Sequence, residues 1–188
     1  VDTGRREPVG FAKQLIFGTA LAWALFQLWY ASPLPFVLRF GVLNDTEARS
    51  IHLAFSLFLA FMAWPAFKSS PRDRIPLFDM LFALAGAFAG GYLLLFYAQL
   101  ATRPGQPTAM DIVVASAGVL LLLEATRRAV GWPMAVLAVL FLAYCMLGAY
   151  MPEVLSHKGV SLNRLLSHMW LTTEGVYGIA LGVSTGAI

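Results

Sequence analysis

Three charged residues stand close together at the end of a long apolar stretch, and their spacing allows ion pairing. Glu124 precedes Arg127 and Arg128 by three and four positions, so on a helix the three side chains are neighbours. A carboxylate among apolar residues must be ion-paired, protonated or reached by water. The pattern indicates either an ion pair that anchors a turn or a proton or cation site. The ion pair is the preferred interpretation because residues 112–123 supply no second carboxylate.

Other groupings with catalytic or metal-binding chemistry are not found in the sequence. His52, His157 and His168 are widely separated, and Cys145 is the one cysteine of these 188 residues. Neither an internal disulfide nor a thiolate metal site can be built from them. There is also no glycine-rich phosphate loop and no pair of carboxylates on one helix face. We therefore expect no enzymatic activity and no cofactor.

The elements that position the charged trio are predicted to be membrane helices. Hydrophobic residues make up 59% of the chain and charged residues 12%, against about 45–50% and about 25% in soluble domains. A helix needs roughly 20 apolar residues to cross roughly 30 Å of hydrocarbon. We predict an all-α integral membrane protein with about five transmembrane helices, near residues 10–30, 51–67, 77–100, 111–130 and 132–150.

The basic residues predict how these helices are oriented. Eight lie on the side of the N-terminus and three in the opposite loops: Arg5, Arg6, Lys13, Lys68, Arg72, Arg74, Arg127 and Arg128, against Arg39, Arg49 and Arg103. The positive-inside rule then places the N-terminus in the cytoplasm. The net charge of +3 is explained by this orientation, so no nucleic-acid partner is expected. Residues 1–9 are predicted to form a mobile tail, and no cleaved signal peptide is expected.

Two further patterns predict packing and interaction surfaces. Gly86 and Gly90 form a small-residue face that allows close helix approach. Ser161 is a plausible N-cap for an amphipathic helix to about Glu174, whose apolar face consists of Leu162, Leu165, Leu166, Met169 and Trp170. This helix is predicted to lie in the membrane interface on the outer surface. It is either an interaction element or a passive linker.

Several stretches resemble a known family of membrane proteins. They are residues 122–132 (LLEATRRAVGW), 50–55 (SIHLAF), 103–108 (RPGQPT) with Asp111, 157–168 (HKGVSLNRLLSH) and 171–184 (LTTEGVYGIALGVS). Together they resemble the fused permeases of tripartite ATP-independent periplasmic (TRAP) transporters, most closely those served by TAXI-type binding proteins.

The resemblance implies a division of the chain. Residues 1–130 would be a small four-helix membrane domain, and 131–158 a connecting transmembrane helix. Residues 159–188 would be the amphipathic helix and the start of a large transport domain, whose first apolar run is expected to be incomplete at Ile188. In the family the sodium and substrate ligands belong to later parts of the large domain. No such ligand can therefore be assigned to a residue of this sequence.

The resemblance also implies a function and a location. The chain would be the stationary scaffold of an ion-driven permease in the bacterial inner membrane. That permease imports a small organic solute delivered by a periplasmic binding protein. The expected partners are membrane lipids, the large transport domain or other membrane subunits, and the binding protein. The alternative is a truncated permease-like chain that serves as a structural accessory subunit of a larger membrane complex.

Overall fold

The computed structural model describes residues 4–186, and within this range every regular element is helical. The helices are α1 (Gly10–Ala31), α2 (Leu34–Leu38), α3 (Asp45–Ala63), α4 (Leu77–Ala101), α5 (Ala109–Ala129), α6 (Trp132–Leu147), α7 (Leu162–Trp170) and α8 (Ile179–Gly186). Two single 3₁₀ turns, Gly148–Tyr150 and Glu153–Leu155, separate α6 from α7. The predicted all-α class is confirmed.

Four segments of the described chain are long and apolar enough to cross a membrane: Gly10–Ala31, Leu77–Ala101, Ala109–Ala129 and Trp132–Tyr150. They correspond to four of the five predicted spans. The remaining prediction, residues 51–67, falls on α3, which begins six residues earlier and ends at Ala63. The first turns of α3 carry Asp45, Glu47 and Arg49, and α3 is not among the segments that are long and apolar enough to cross a membrane.

A reciprocal cap explains why α3 begins among charged residues. The backbone N–H of Glu47 donates to the Asn44 side chain at 2.9 Å, and the backbone N–H of Asn44 donates to the Glu47 carboxylate at 2.9 Å. This capping box satisfies two N–H groups that a helix start otherwise leaves unpaired. The charged residues assigned to a loop from the sequence therefore form the first turn of the helix.

Helix α3 is the centre of the bundle and packs against α1, α4, α5 and α8. Its closest neighbour is α4, at the two glycines of the small-residue face. A Cβ atom on Gly90 would lie 2.9 Å from the Ala54 backbone nitrogen, and one on Gly86 would lie 3.2 Å from Leu57 Cβ. The two helix backbones can approach this closely because neither glycine carries a side chain.

Consecutive long helices are antiparallel, so the bundle has two ends. The basic end contains residues 5–9, 64–76 and 124–132, and the distal end contains residues 32–49, 101–111 and 148–161. The N-terminal segment packs against the basic end, where the Arg6 backbone N–H donates to the Ala63 carbonyl at 2.8 Å. Arg6 is only 3% exposed. The predicted mobile tail is therefore wrong for residues 4–9, and residues 1–3 lie outside the described range.

Helix α7 is shorter and deeper in the bundle than predicted. It ends at Trp170, and Ser161 occupies the N-cap position without a side-chain hydrogen bond. Trp170 lies against Gly118, where an added Cβ would come within 2.2 Å of the indole ring. Gly118 is about 14 Å along α5 from the first residue of that helix. The end of α7 therefore reaches the middle of α5, whereas a position on the outer surface was predicted.

Candidate functional site

Five charged side chains meet at the basic end and form an ionic cluster: Arg6, Asp79, Glu124, Arg127 and Arg128. The three predicted members pair as their spacing suggested. Arg127 donates from Nε and Nη2 to the Glu124 carboxylate at 2.8 and 2.7 Å. Arg128 donates from Nε to the same carboxylate at 2.7 Å. This part of the cluster lies on a single helix, α5.

Asp79 extends the cluster from α5 to α4 and to the N-terminal segment. It accepts a hydrogen bond from Arg128 Nη1 at 2.7 Å and another from Arg6. The side chains of Arg6, Arg128 and Asp79 are 0%, 2% and 5% exposed. Asp79 also lies in the first turn of α4, where the helix dipole favours a negative charge. These pairs join segments that are far apart in the chain.

The same guanidinium groups bind the carbonyls at and beyond the C-terminal end of α3. Arg6 Nη1 donates to the carbonyls of Phe61 and Met62 at 3.0 Å each. Arg127 Nη2 donates to the Ala66 carbonyl at 2.9 Å. The last carbonyls of a helix have no partner within it, so cationic donors are well placed there. Arg128 also lies 4.9 Å from the ring centroid of Phe61.

The geometry bears on the two interpretations of Glu124. Each of the four carboxylate oxygens of Asp79 and Glu124 accepts a hydrogen bond from a guanidinium group. A cation at this position would find no unoccupied carboxylate oxygen. Among residues 4–186 there is also no group of three His, Cys, Asp or Glu side chains placed to hold a metal ion. The arrangement therefore favours a structural clamp.

Arg6 and Asp79 were not recognised from the sequence, although the position of Asp79 in an apolar span indicates that it needs a partner. Asp79 is a carboxylate in the first turn of an apolar span, and such a group requires a partner. The partner could not be deduced, because Arg6 is 73 positions away and belongs to a segment without helical periodicity. Helix spacing reveals partners on the same helix only.

A second set of polar side chains holds the end of α7 and the residues that follow it against the middle of α4. Trp170 Nε1 donates to the Ala89 carbonyl at 2.8 Å, and the Tyr177 hydroxyl donates to the Gly90 carbonyl at 2.8 Å. The Ser50 hydroxyl of α3 donates to the same Gly90 carbonyl at 2.8 Å. Six residues after Gly90, α4 leaves helical geometry at Phe96 (φ −119°, ψ 17°). Side-chain donors from other elements thus stabilise α4 beside its kink.

A third polar group attaches α8 to α3. Arg49 donates from Nη1 to the carbonyls of Tyr177 and Gly178 at 2.8 and 3.2 Å. His52 contacts the Ser184 hydroxyl of α8 at 3.2 Å through Nε2, and Gln27 of α1 through Nδ1. The other two histidines are elsewhere: His157 contacts the end of α6 and His168 is exposed.

The apolar face predicted to be an interaction surface is partly used inside the chain. Leu165, Leu166 and Trp170 are buried, Met169 is half-buried, and Leu162 is 52% exposed. The buried members pack against α5. Only the first turn of α7 therefore presents a largely exposed apolar side chain.

The contacts around the bundle stabilise it at its basic end and along α3 and α4. The ionic cluster fixes the basic end, and Arg49, His52, Trp170 and Tyr177 fix residues 170–184 to α3 and α4. No protein-family model, curated protein or solved structure matches this chain. Its function is therefore proposed from its residues and their geometry.

Proposed function

We propose that this chain is the scaffold portion of a TRAP-type secondary transporter permease. The permease imports a small organic solute that a periplasmic binding protein delivers, and an ion gradient drives the import. The observation that carries the proposal is that residues 122–132, one of the segments that resemble these permeases, supply three of the five members of the ionic cluster. A segment that resembles the family therefore contains residues that stabilise the bundle.

The ionic cluster suits a domain that keeps its shape while a neighbouring domain moves. Asp79 binds Arg6 of the N-terminal segment and Arg128 of α5, and all three side chains are at most 5% exposed. Separating such a pair leaves an uncompensated buried charge, which costs about 3–5 kcal/mol. The three segments that supply the cluster (residues 4–9, α4 and α5) would therefore move as one body with the end of α3, whose carbonyls Arg6 binds.

The outer helices supply surfaces for the other expected partners. In α1 and α6 a single residue each is buried, Ile16 and Ala135. Their exposed apolar side chains would contact lipid or the transport domain. Helix α8, attached through Arg49, would begin that domain. In this proposal the membrane is the bacterial inner membrane and the basic end faces the cytoplasm, as the positive-inside rule suggests.

The second candidate is a structural accessory subunit of a larger membrane complex. This candidate is favoured because arginine side chains already bind every carboxylate oxygen of Asp79 and Glu124. A transport site needs polar groups that can exchange partners with a solute or an ion. An accessory subunit needs none.

Affinity purification from native membranes separates the two candidates. The chain is tagged at its N-terminus in its own genome, extracted in mild detergent, and analysed by intact mass and peptide mapping. The scaffold proposal predicts that the tagged chain is purified together with a transport domain, and that the reconstituted material takes up a solute when an ion gradient is applied. Recovery of a complex without any uptake activity would contradict it and favour the accessory subunit.

A further inference from the structure

An apolar groove separates α5 from α6 and is closed at one end by α7. Its volume is about 470 Å³, and its lining includes Val119, Leu120, Leu123, Val139, Ala143 and Leu166. A second cavity of about 470 Å³ shares Leu120, Leu123 and Val139 with the groove and continues to Arg127 and Trp132. The two cavities together follow α5 from Ser116 to Arg127, a distance of about 16 Å.

The volume of the groove indicates what kind of molecule it can enclose. One turn of an α-helix with side chains has a diameter of about 10–12 Å and a rise of about 5.4 Å, so each cavity has room for about one turn. A further helix therefore cannot be enclosed between α5 and α6, whereas a hydrocarbon chain can. Helix α5 and the segment Trp132–Tyr150, which contains α6, are each long and apolar enough to cross a membrane. The length of about 16 Å also matches half of the roughly 30 Å hydrocarbon core.

The end of the groove at Arg127 is suited to a phosphate. Arg127 uses Nε and Nη2 for Glu124 and the Ala66 carbonyl. Its Nη1 has no hydrogen-bond acceptor among residues 4–186, and its side chain is 15% exposed. The Trp132 ring lies 5.2 Å from the Arg127 guanidinium carbon, and tryptophan is enriched at the level of lipid headgroups.

The charge balance of the basic end favours an anionic headgroup. Together with Lys13 in the first turn of α1 and Asp79 in the first turn of α4, it contains eight basic residues and four acidic ones, the latter being Glu7, Asp73, Asp79 and Glu124. Basic residues next to a membrane attract acidic lipids. Within the ionic cluster the three arginines exceed the two carboxylates by one charge. A phosphate at Arg127 would neutralise that excess.

We propose that the cleft between α5 and α6 binds one phospholipid with an anionic headgroup. One acyl chain fills the groove from Leu123 towards α7, and the phosphate accepts a hydrogen bond from Arg127 Nη1. The bound lipid supports α6, in which Ala135 is the one buried residue. This site is independent of the transport proposal, since it requires only that α5 and α6 cross a bilayer.

Native mass spectrometry of the purified full chain tests the site with defined lipids. Phosphatidylglycerol and phosphatidylcholine of identical acyl chains are titrated into the detergent-solubilised protein. The expected result is one retained phosphatidylglycerol per chain, bound about tenfold more tightly than phosphatidylcholine, as about 1.4 kcal/mol of headgroup interaction would give. Ala143→Trp, which fills the groove, should abolish the adduct. Leu137→Trp, on an α6 residue that lines neither cavity, should leave it unchanged.

Three results would overturn the proposal. They are the absence of a one-to-one adduct, an adduct that persists in Ala143→Trp, and equal affinity for the two lipids. Thermal unfolding of each variant shows whether it is folded. If Ala143→Trp does not fold, Ser116→Leu narrows the far end of the groove with a smaller side chain and should weaken phosphatidylglycerol binding. Unchanged binding in that variant would also count against the site.

Discussion

Asp79 and Glu124 both bind two arginines, but water reaches them to different extents. The side chain of Asp79 is 5% exposed and that of Glu124 is 29% exposed. We predict that Asp79→Asn lowers the free energy of unfolding by about 3–5 kcal/mol, because two buried guanidinium groups lose their anionic partner. Glu124→Gln should cost less, about 1 kcal/mol, because solvent screens its pairs. Unfolding in detergent, followed by tryptophan fluorescence, measures both.

The order of the two variants is the informative result. An equal or larger loss in Glu124→Gln would contradict the assignment of Asp79 as the centre of the cluster. The same variant also tests the alternative for Glu124. If Glu124→Gln expresses normally but alters the ion dependence of the assembled protein, the carboxylate is a functional site and the clamp interpretation is wrong.

At the scale of the elements, the contact between α3 and α4 depends on the absence of a side chain at Gly90. We predict that Gly90→Ala destabilises the bundle by about 1–3 kcal/mol, because the new Cβ would lie 2.9 Å from the Ala54 backbone nitrogen, and a backbone yields little to overpacking. Gly91→Ala is the matched control. Nothing lies within 4 Å of its added Cβ, so it should be neutral or slightly stabilising. Equal effects in the two variants would exclude close packing at Gly90.

Helix α7 is held by its own apolar face. We predict that replacing Leu165 and Trp170 with serine releases α7 from α5, since these side chains are 7% and 0% exposed and each such truncation costs about 2–5 kcal/mol. Limited proteolysis should then cleave residues 156–178 faster, while the long helices still insert into the membrane. Leu162→Ser is the control, because Leu162 is 52% exposed. An unchanged proteolysis pattern in the double variant would show that other contacts hold α7.

Most of the helices could be predicted from the sequence, because apolar length and composition alone specify a membrane-spanning helix. The start of α3 could not, because Asp45, Glu47 and Arg49 are typical of a loop until the capping box at Asn44 is recognised. Three members of the ionic cluster, Glu124, Arg127 and Arg128, could be predicted because they share one helix. Arg6 and Asp79 could not, because tertiary packing brings them to the cluster. The depth of α7 depends on the contact between Trp170 and Gly118, which no periodicity reveals.

At the scale of the whole molecule, the orientation in the membrane is a prediction from the basic residues. Single cysteines are placed on exposed loop positions in a Cys145→Ala background, as Ser69→Cys at the basic end and as Gln106→Cys and Ser156→Cys at the distal end. A membrane-impermeant maleimide applied to intact cells should label the two distal positions but not Ser69→Cys. Labelling of Ser69→Cys alone would invert the orientation.

Solute uptake tests the central claim, that this chain is the scaffold of an ion-driven, binding-protein-dependent importer. Spheroplasts of the native host, which have lost their periplasmic proteins, are compared with spheroplasts in which the coding region is deleted, using a panel of radiolabelled small organic acids. We predict that at least one solute accumulates only when the coding region is intact, the periplasmic extract is added back and the ion gradient is maintained. Uptake that is unchanged by the deletion for every solute, or that needs no periplasmic extract, would contradict the account.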